Sequence, residues 1–136
     1  AAKPVRKKTD DPSDPKLQGW KARNCTYVVA KGIVTIKKPG AQSFLGVGAG
    51  VTGPATVTFR IRCPRAGKAK VEWLDQKTAP EAVPYAVTGG DWETITVKVP
   101  ATRPLGILRV YLPAGDSAEI DWIKLQGAGK SRRTDF

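Results

Sequence analysis

The chain has 136 residues, enough for one hydrophobic core. Its 23 Lys and Arg against 12 Asp and Glu leave a net charge of +11, which favours a polyanionic partner: nucleic acid, an anionic membrane surface or an acidic polysaccharide. With no His and two Cys, the chain lacks the commonest general base and has no ligand set for zinc.

Residues 1–18 carry Pro4, Pro12 and Pro15, the basic cluster Arg6-Lys7-Lys8 and the acids Asp10, Asp11 and Asp14, with almost nothing apolar to bury. They read as a linker or disordered arm. No apolar h-region opens the chain and no apolar run approaches about 18 residues, so neither a signal peptide nor a transmembrane helix is expected and no membrane partner is indicated. The chain begins without Met and contains none, as expected of a piece of a longer protein.

From Trp20 onward the texture changes to short β-type runs with frequent punctuation. Cys25–Ala30 (CTYVVA) and Ile33–Lys37 (IVTIK) flank Lys31-Gly32, a two-residue connection suited to a hairpin. Ser43–Val47 (SFLGV) then forms a short strand before the glycine-rich bend Gly48-Ala49-Gly50. That bend lacks the following helix and the Gly-Lys-Ser/Thr ending of a phosphate-cradling loop.

The clearest alternation follows, with Val57, Phe59, Ile61 and Cys63 on one face and Thr56, Thr58, Arg60 and Arg62 on the other. Ala69–Leu74 repeats the scheme, placing Val71 and Trp73 inward and Lys70 and Glu72 outward. Glu81–Val87 is interrupted by Pro84, which points to an edge strand or a bulge. In Trp92–Val99, Ile95, Val97 and Val99 alternate with Thr94, Thr96 and Lys98; in Gly106–Leu112, Leu108, Val110 and Leu112 alternate with Arg109 and Tyr111.

The last strand, Ala118–Leu125, has apolar residues on both faces, Ile120 and Trp122 on one and Ile123 and Leu125 on the other, which indicates a covered position. A carboxylate within such a strand is costly unless paired, hydrogen-bonded or bound to a cation. Asp121 is therefore either a hydrogen-bonded acid at the rim or a ligand of a structural calcium.

These make about nine short strands with no window of 3.6-residue apolar period. The expected fold is all-β, an antiparallel β-sandwich of jelly-roll type, spanning 19–127 and followed by a C-terminal tail at 128–136.

Nucleophile elbows, Cys-x-x-Cys pairs and His-Glu-x-x-His motifs are absent, and the acids of the folded part show no spacing of a catalytic pair. The expectation is a non-catalytic chain. What remains is a binding face: Arg60, Arg62, Lys70, Glu72, Thr96, Lys98, Arg109 and Tyr111, on the wet side of one sheet, would form a cationic strip with one aromatic ring. Guanidinium groups grip sulfate, phosphate or carboxylate in bidentate fashion, so an anionic glycan suits it. An ordinary solvated β-face is the alternative. Trp73 and Trp122 fall on apolar faces and read as core. Trp92, at the start of its strand, and Trp20, at the end of the arm, read as exposed platforms or as an interface with a neighbouring domain, with anchoring of the arm the alternative for Trp20. Cys25 and Cys63 are either bridged or two buried thiols. No helix-based reading motif or aromatic RNA-binding signature is present, which leaves nucleic acid the least supported partner.

Several blocks also carry a family resemblance: Gly19–Cys25 (GWKARNC), Phe44–Val47 (FLGV) with Gly53–Val57 (GPATV), Lys70–Leu74 (KVEWL), Pro104–Arg109 (PLGILR) and Ile120–Leu125 (IDWIKL). Together, from about Trp20 to Phe136, they resemble the C-terminal accessory domain that follows the catalytic domain in a group of large bacterial sulfatases. The sulfatase signature, Cys/Ser-x-Pro-x-Arg, is not met by Cys63-Pro64-Arg65, so the catalytic domain is not in this chain. The resemblance implies a β-sandwich appended to a secreted or periplasmic enzyme acting on sulfated polysaccharides. Its partners would be an anionic glycan or the parent catalytic domain.

Overall fold

A computed structural model describes residues 14–74 and 79–136. The cluster Arg6-Lys7-Lys8 and most of the expected arm lie outside the described residues.

Eleven strands are present among the described residues: β1 (Lys21–Arg23), β2 (Thr26–Ala30), β3 (Ile33–Lys37), β4 (Phe44–Gly48), β5 (Ala55–Arg62), β6 (Gly67–Leu74), β7 (Glu81–Val87), β8 (Glu93–Val99), β9 (Ile107–Tyr111), β10 (Ser117–Gly127) and β11 (Lys130–Asp135). They form two antiparallel sheets, β1-β4-β9-β6-β7 and β2-β3-β10-β5-β8, with β11 added beside β10. This is the expected antiparallel sandwich. The alternation of β5 is reproduced residue by residue: Val57, Phe59 and Ile61 are fully buried, and the intervening Thr and Arg side chains are half-exposed. Lys31 and Gly32, with φ of 53° and 77°, make the two-residue turn that lets β2 and β3 pair as a hairpin. Pro84 sits in β7, an edge strand that can spare an amide.

The core lies between the sheets. Leu45, Val47, Val71, Trp73, Leu108 and Val110 come from the first sheet and Val34, Ile36, Val57, Phe59, Ile61, Ile120, Ile123 and Leu125 from the second. Tyr85 crosses the gap to meet Phe59 edge-on, with ring centroids 5.1 Å apart.

Strand β10 organises the second sheet. It pairs with β5 along one side and, on the other, with β3 through Ser117–Ile120 and with β11 through Trp122–Gly127. Its ladder with β5 shifts register between Ile120 and Trp122. A bulge of this kind sets two residues against one, so the inside-outside alternation slips by one position. Ile120 and Ile123 are both buried, and Asp121 and Trp122 are both half-exposed on the outer face. Trp122 is thus not core, and the two-sided apolar character of the strand arises from the bulge.

Three more expectations are corrected. Residues 130–135 are a strand and not a tail. Lys-Ser-Arg-Arg-Thr-Asp has no strand propensity worth reading, and it is held by its ladder to β10 and by buried Thr134. Trp20 is 1% exposed and not a platform: its Nε1 donates to Thr134 Oγ1 at 3.2 Å. The expected arm also ends earlier than residue 18, because a 3₁₀ turn at Pro15–Leu17 buries Leu17 in the core. Arg132 donates to the carbonyl of Gln18 and Gln18 to that of Asp135, tying both ends of the domain together.

Cys25 and Cys63 are free thiols, half-buried and buried respectively. Burial pushes both thiols up; for Cys63, with the charges of Glu93 and Glu119 adding to it, the value reaches about 11.

Candidate functional site

The expected cationic strip is divided between the two outer faces of the sandwich. Arg60, Arg62 and Lys98 belong to β5 and β8 of the second sheet, whereas Lys70, Arg109 and Tyr111 belong to β6 and β9 of the first. The short connection from β5 to β6 does not close a hairpin. It passes from one sheet to the other, so β6 pairs with β7 and β9 instead.

On the second sheet the arginines are engaged with their own neighbours. Arg60 Nη1 donates to Asp121 Oδ2 at 2.8 Å and Arg62 Nε to Glu119 Oε1 at 2.8 Å. Both guanidinium groups also lie over the Trp92 ring, 4.7 and 4.8 Å from its centroid. Arg133 covers Trp122 in the same way at 4.4 Å while pairing with Asp135. Lys98, opposite Thr56, stands exposed on the edge strand β8. Each of these three arginines is thus paired with an acid of its own sheet.

The same pairing bears on calcium at Asp121. Its carboxylate faces a guanidinium, and no group of three His, Cys, Asp or Glu side chains converges among the described residues. Calcium needs several oxygens and tolerates no cation in its shell, so these residues do not fit it.

The outer face of the first sheet is built around Glu72, a carboxylate left only 9% exposed. Register explains the surroundings. Glu72 stands opposite Arg109 on β9, Arg109 opposite Gly46 on β4, and Gly46 opposite Lys21 on β1. One row along, Arg23, Phe44 and Tyr111 lie side by side. Arg109 Nη1 donates to Glu72 Oε1 at 3.2 Å, Tyr111 Oη donates to the same oxygen at 3.3 Å, and Lys70 Nζ lies 3.7 Å from Oε2. The donors are themselves seated on rings, with Arg109 4.8 Å from the Phe44 centroid and Lys70 4.6 Å from that of Tyr111. Phe44 and Tyr111 pack at 5.1 Å. A buried carboxylate with two hydrogen-bond donors and an ion-paired ammonium is a satisfied group, and it orients all three.

A depression opens on each side of this cluster. One, of about 270 Å³, is lined by Lys21, Arg23, Phe44, Gly46, Ile107 and Arg109; the other, of about 380 Å³, by Lys68, Lys70, Pro84, Tyr111, Leu112 and Ala114. Gly46 forms the floor of the first, where a Cβ would come within 3.1 Å of the Phe44 ring. Ile107, 45% exposed, is its apolar wall. The arrangement combines flat apolar surface with oriented cationic donors, as recognition of a ring-shaped polar molecule requires.

Of the expected residues, Lys70, Arg109 and Tyr111 come together here; Arg60, Arg62 and Trp92 come together on the opposite face, and Lys98 stands apart from both groups. Tyr111 is buried beneath Phe44 and Lys70, with its hydroxyl engaged by Glu72. Lys21, Arg23, Phe44, Gly46 and Ile107 were not foreseen. Phe44 was legible as the outward residue of an alternating strand, but nothing in a three-residue Lys-Ala-Arg segment announces β1.

No family model matches this chain, and no curated protein matches it by sequence. Among solved structures, the CBM22-1 and GH10 modules of the Clostridium thermocellum N-terminal endo-1,4-β-D-xylanase 10B, complexed with xylohexaose, align with a TM-score of 0.66 at 14% identity. That match covers 82% of this chain and 26% of the other. A variant of a family 29 carbohydrate-binding module complexed with cellulohexaose aligns with a TM-score of 0.61 at 14% identity, covering 79% of this chain and 80% of that one. A third structure, PfGH50B, aligns with a TM-score of 0.59 at 8% identity, and this chain spans 22% of its length. The chain has the jelly-roll β-sandwich fold seen in carbohydrate-binding modules.

Proposed function

We propose that this chain is a non-catalytic module that binds an anionic polysaccharide, with sulfated glycans as the favoured class. The binding surface is the outer face of the first sheet. The observation that carries the reading is the Glu72-centred cluster, which holds Arg109 and Lys70 rigidly over aromatic rings between two sugar-sized depressions. Preorganised donors lose little entropy on binding, and apolar ring faces stack on the CH face of a sugar. The fold likeness to modules crystallised with xylohexaose and cellulohexaose supports a glycan ligand. The net charge of +11 supports an anionic one.

The longer protein would be a secreted or periplasmic sulfatase-like enzyme, on the strength of the sequence resemblance. Packing against its catalytic domain is the second reading, favoured by the opposite face, where Trp92 and Trp122 lie under arginines and Val28 is 46% exposed. Affinity electrophoresis of the chain through gels containing neutral or sulfated polysaccharides tests the proposal. Retardation by sulfated polymers is the expected result, whereas unchanged mobility in every gel would leave the packing role.

A further inference from the structure

The cations of the proposed face are not equivalent. Arg109 and Lys70 are held by Glu72 and by the rings beneath them. Lys21 and Lys68 are exposed, with no ion-pair partner among the described residues. They also lie at opposite corners. Lys21 is on β1 in the row of Gly46, Arg109 and Glu72, three strands away from β6. Lys68 is on β6, four positions from Glu72 and facing the same way. With strands about 4.8 Å apart and a rise of about 3.4 Å per residue, the two ammonium-bearing positions are separated by about 20 Å along the diagonal of the sheet. The diagonal runs from the Lys21 depression over the Phe44–Arg109 and Tyr111–Lys70 ridge to the Lys68 depression.

Resting on the glycan-binding reading above, we infer that the ligand is an oligosaccharide carrying at least two separated anionic groups, one taken by Lys21 and the other by Lys68. The ridge between them, its cations held by Glu72 and by the rings, contacts sugar rings. A single anion reaches only one corner, whereas a chain reaches both, and the second contact is then intramolecular with a high effective concentration. The ridge carries two cations, Arg109 and Lys70, against the single carboxylate of Glu72, so its own pull on an anion is reduced to one charge, whereas Lys21 and Lys68 act undiminished at the corners.

The test is isothermal titration of the 136-residue chain and four variants, Lys21→Ala, Lys68→Ala, the double lysine variant and Phe44→Ala, with a heparin hexasaccharide, a heparin disaccharide and neutral cellohexaose. The hexasaccharide is expected to bind, each single substitution to weaken it about fivefold and the double to weaken it by about the product. The disaccharide is expected to bind much more weakly. Equal affinity for disaccharide and hexasaccharide, or a double variant that binds the hexasaccharide as the parent does, would overturn the two-corner arrangement. Cellohexaose binding that is lost in Phe44→Ala but indifferent to both lysines would refute the charge spacing and leave the face as a glycan site. Failure of all three sugars to bind would remove both.

Discussion

Arg60 and Asp121 face each other across the β5–β10 ladder, Nη1 to Oδ2, at 2.8 Å, at the position where the bulge in β10 turns the carboxylate outward. The acid that looked anomalous inside an apolar strand is half-exposed and paired. An ion pair at this exposure contributes little, so a double-mutant cycle with Asp121→Asn and Arg60→Ala is expected to give a coupling of about 0.5 kcal/mol in urea melts. The melting temperature should be the same with and without a chelator. A fall of many degrees on chelation would restore a metal role to Asp121.

The bulge also predicts which of two neighbouring apolar side chains matters. Ile123 is 1% exposed, so Ile123→Ala should cost about 2 to 4 kcal/mol. Trp122, although larger, lies half-exposed under Arg133, and Trp122→Ala should cost about 1 kcal/mol. Uninterrupted alternation in β10 would give Trp122 the larger loss.

Among the tryptophans, Trp20 and Trp122 exchange the places that the sequence suggests, while Trp73 stays in the core. Trp20, buried and bonded to Thr134, is expected to lose about 3 to 5 kcal/mol on replacement by Ala. Thr134→Val removes only the acceptor and leaves a buried indole N–H, at a cost of about 1 to 2 kcal/mol. Deletion of residues 130–136 would strip the same contacts and lower the unfolding midpoint further.

These cases show what a linear pattern conveys. Alternation in β5, β6, β8 and β9 told which residues face inward, and Phe59, Trp73, Val97 and Val110 are where it put them. It did not tell which sheet each strand joins, because inside and outside are local properties and pairing is not. The Cys63–Ala66 connection has the length of a hairpin turn yet changes sheets, and so the strip expected to run through Arg60 and Arg109 falls on two faces. β1 and β11 were invisible for a related reason: short polar segments become strands only because a neighbour offers its edge.

Two carboxylates contribute to the acid limb of stability. Asp14 is held below its ordinary 3.8 by hydrogen bonds from the Tyr27 hydroxyl and the Lys16 amide. For Glu93, burial works in the opposite direction, but hydrogen bonds from the amides of Thr88 and Gly89 outweigh it and hold the group below 4.5. The unfolded chain therefore takes up these protons first as pH falls. The stabilisation is complete above about pH 5 and is lost below it as pH drops through the folded-state values. In urea melts at stepped pH, Glu93→Gln should be less stable than the parent at pH 7 and show a shallower decline towards pH 3. An unchanged slope would mean that the Thr88–Gly89 bonds do not survive in solution.

The most direct test of the proposed face compares Arg109→Ala with Arg60→Ala in affinity electrophoresis against one sulfated polysaccharide, with urea melts run alongside. Arg109 belongs to the Glu72 cluster between the two depressions, and Arg60 to the self-paired face on the other side. The account predicts that Arg109→Ala loses most of its retardation and that Arg60→Ala, though slightly less stable, is retarded like the parent. The reverse result, or equal loss in both, would contradict it.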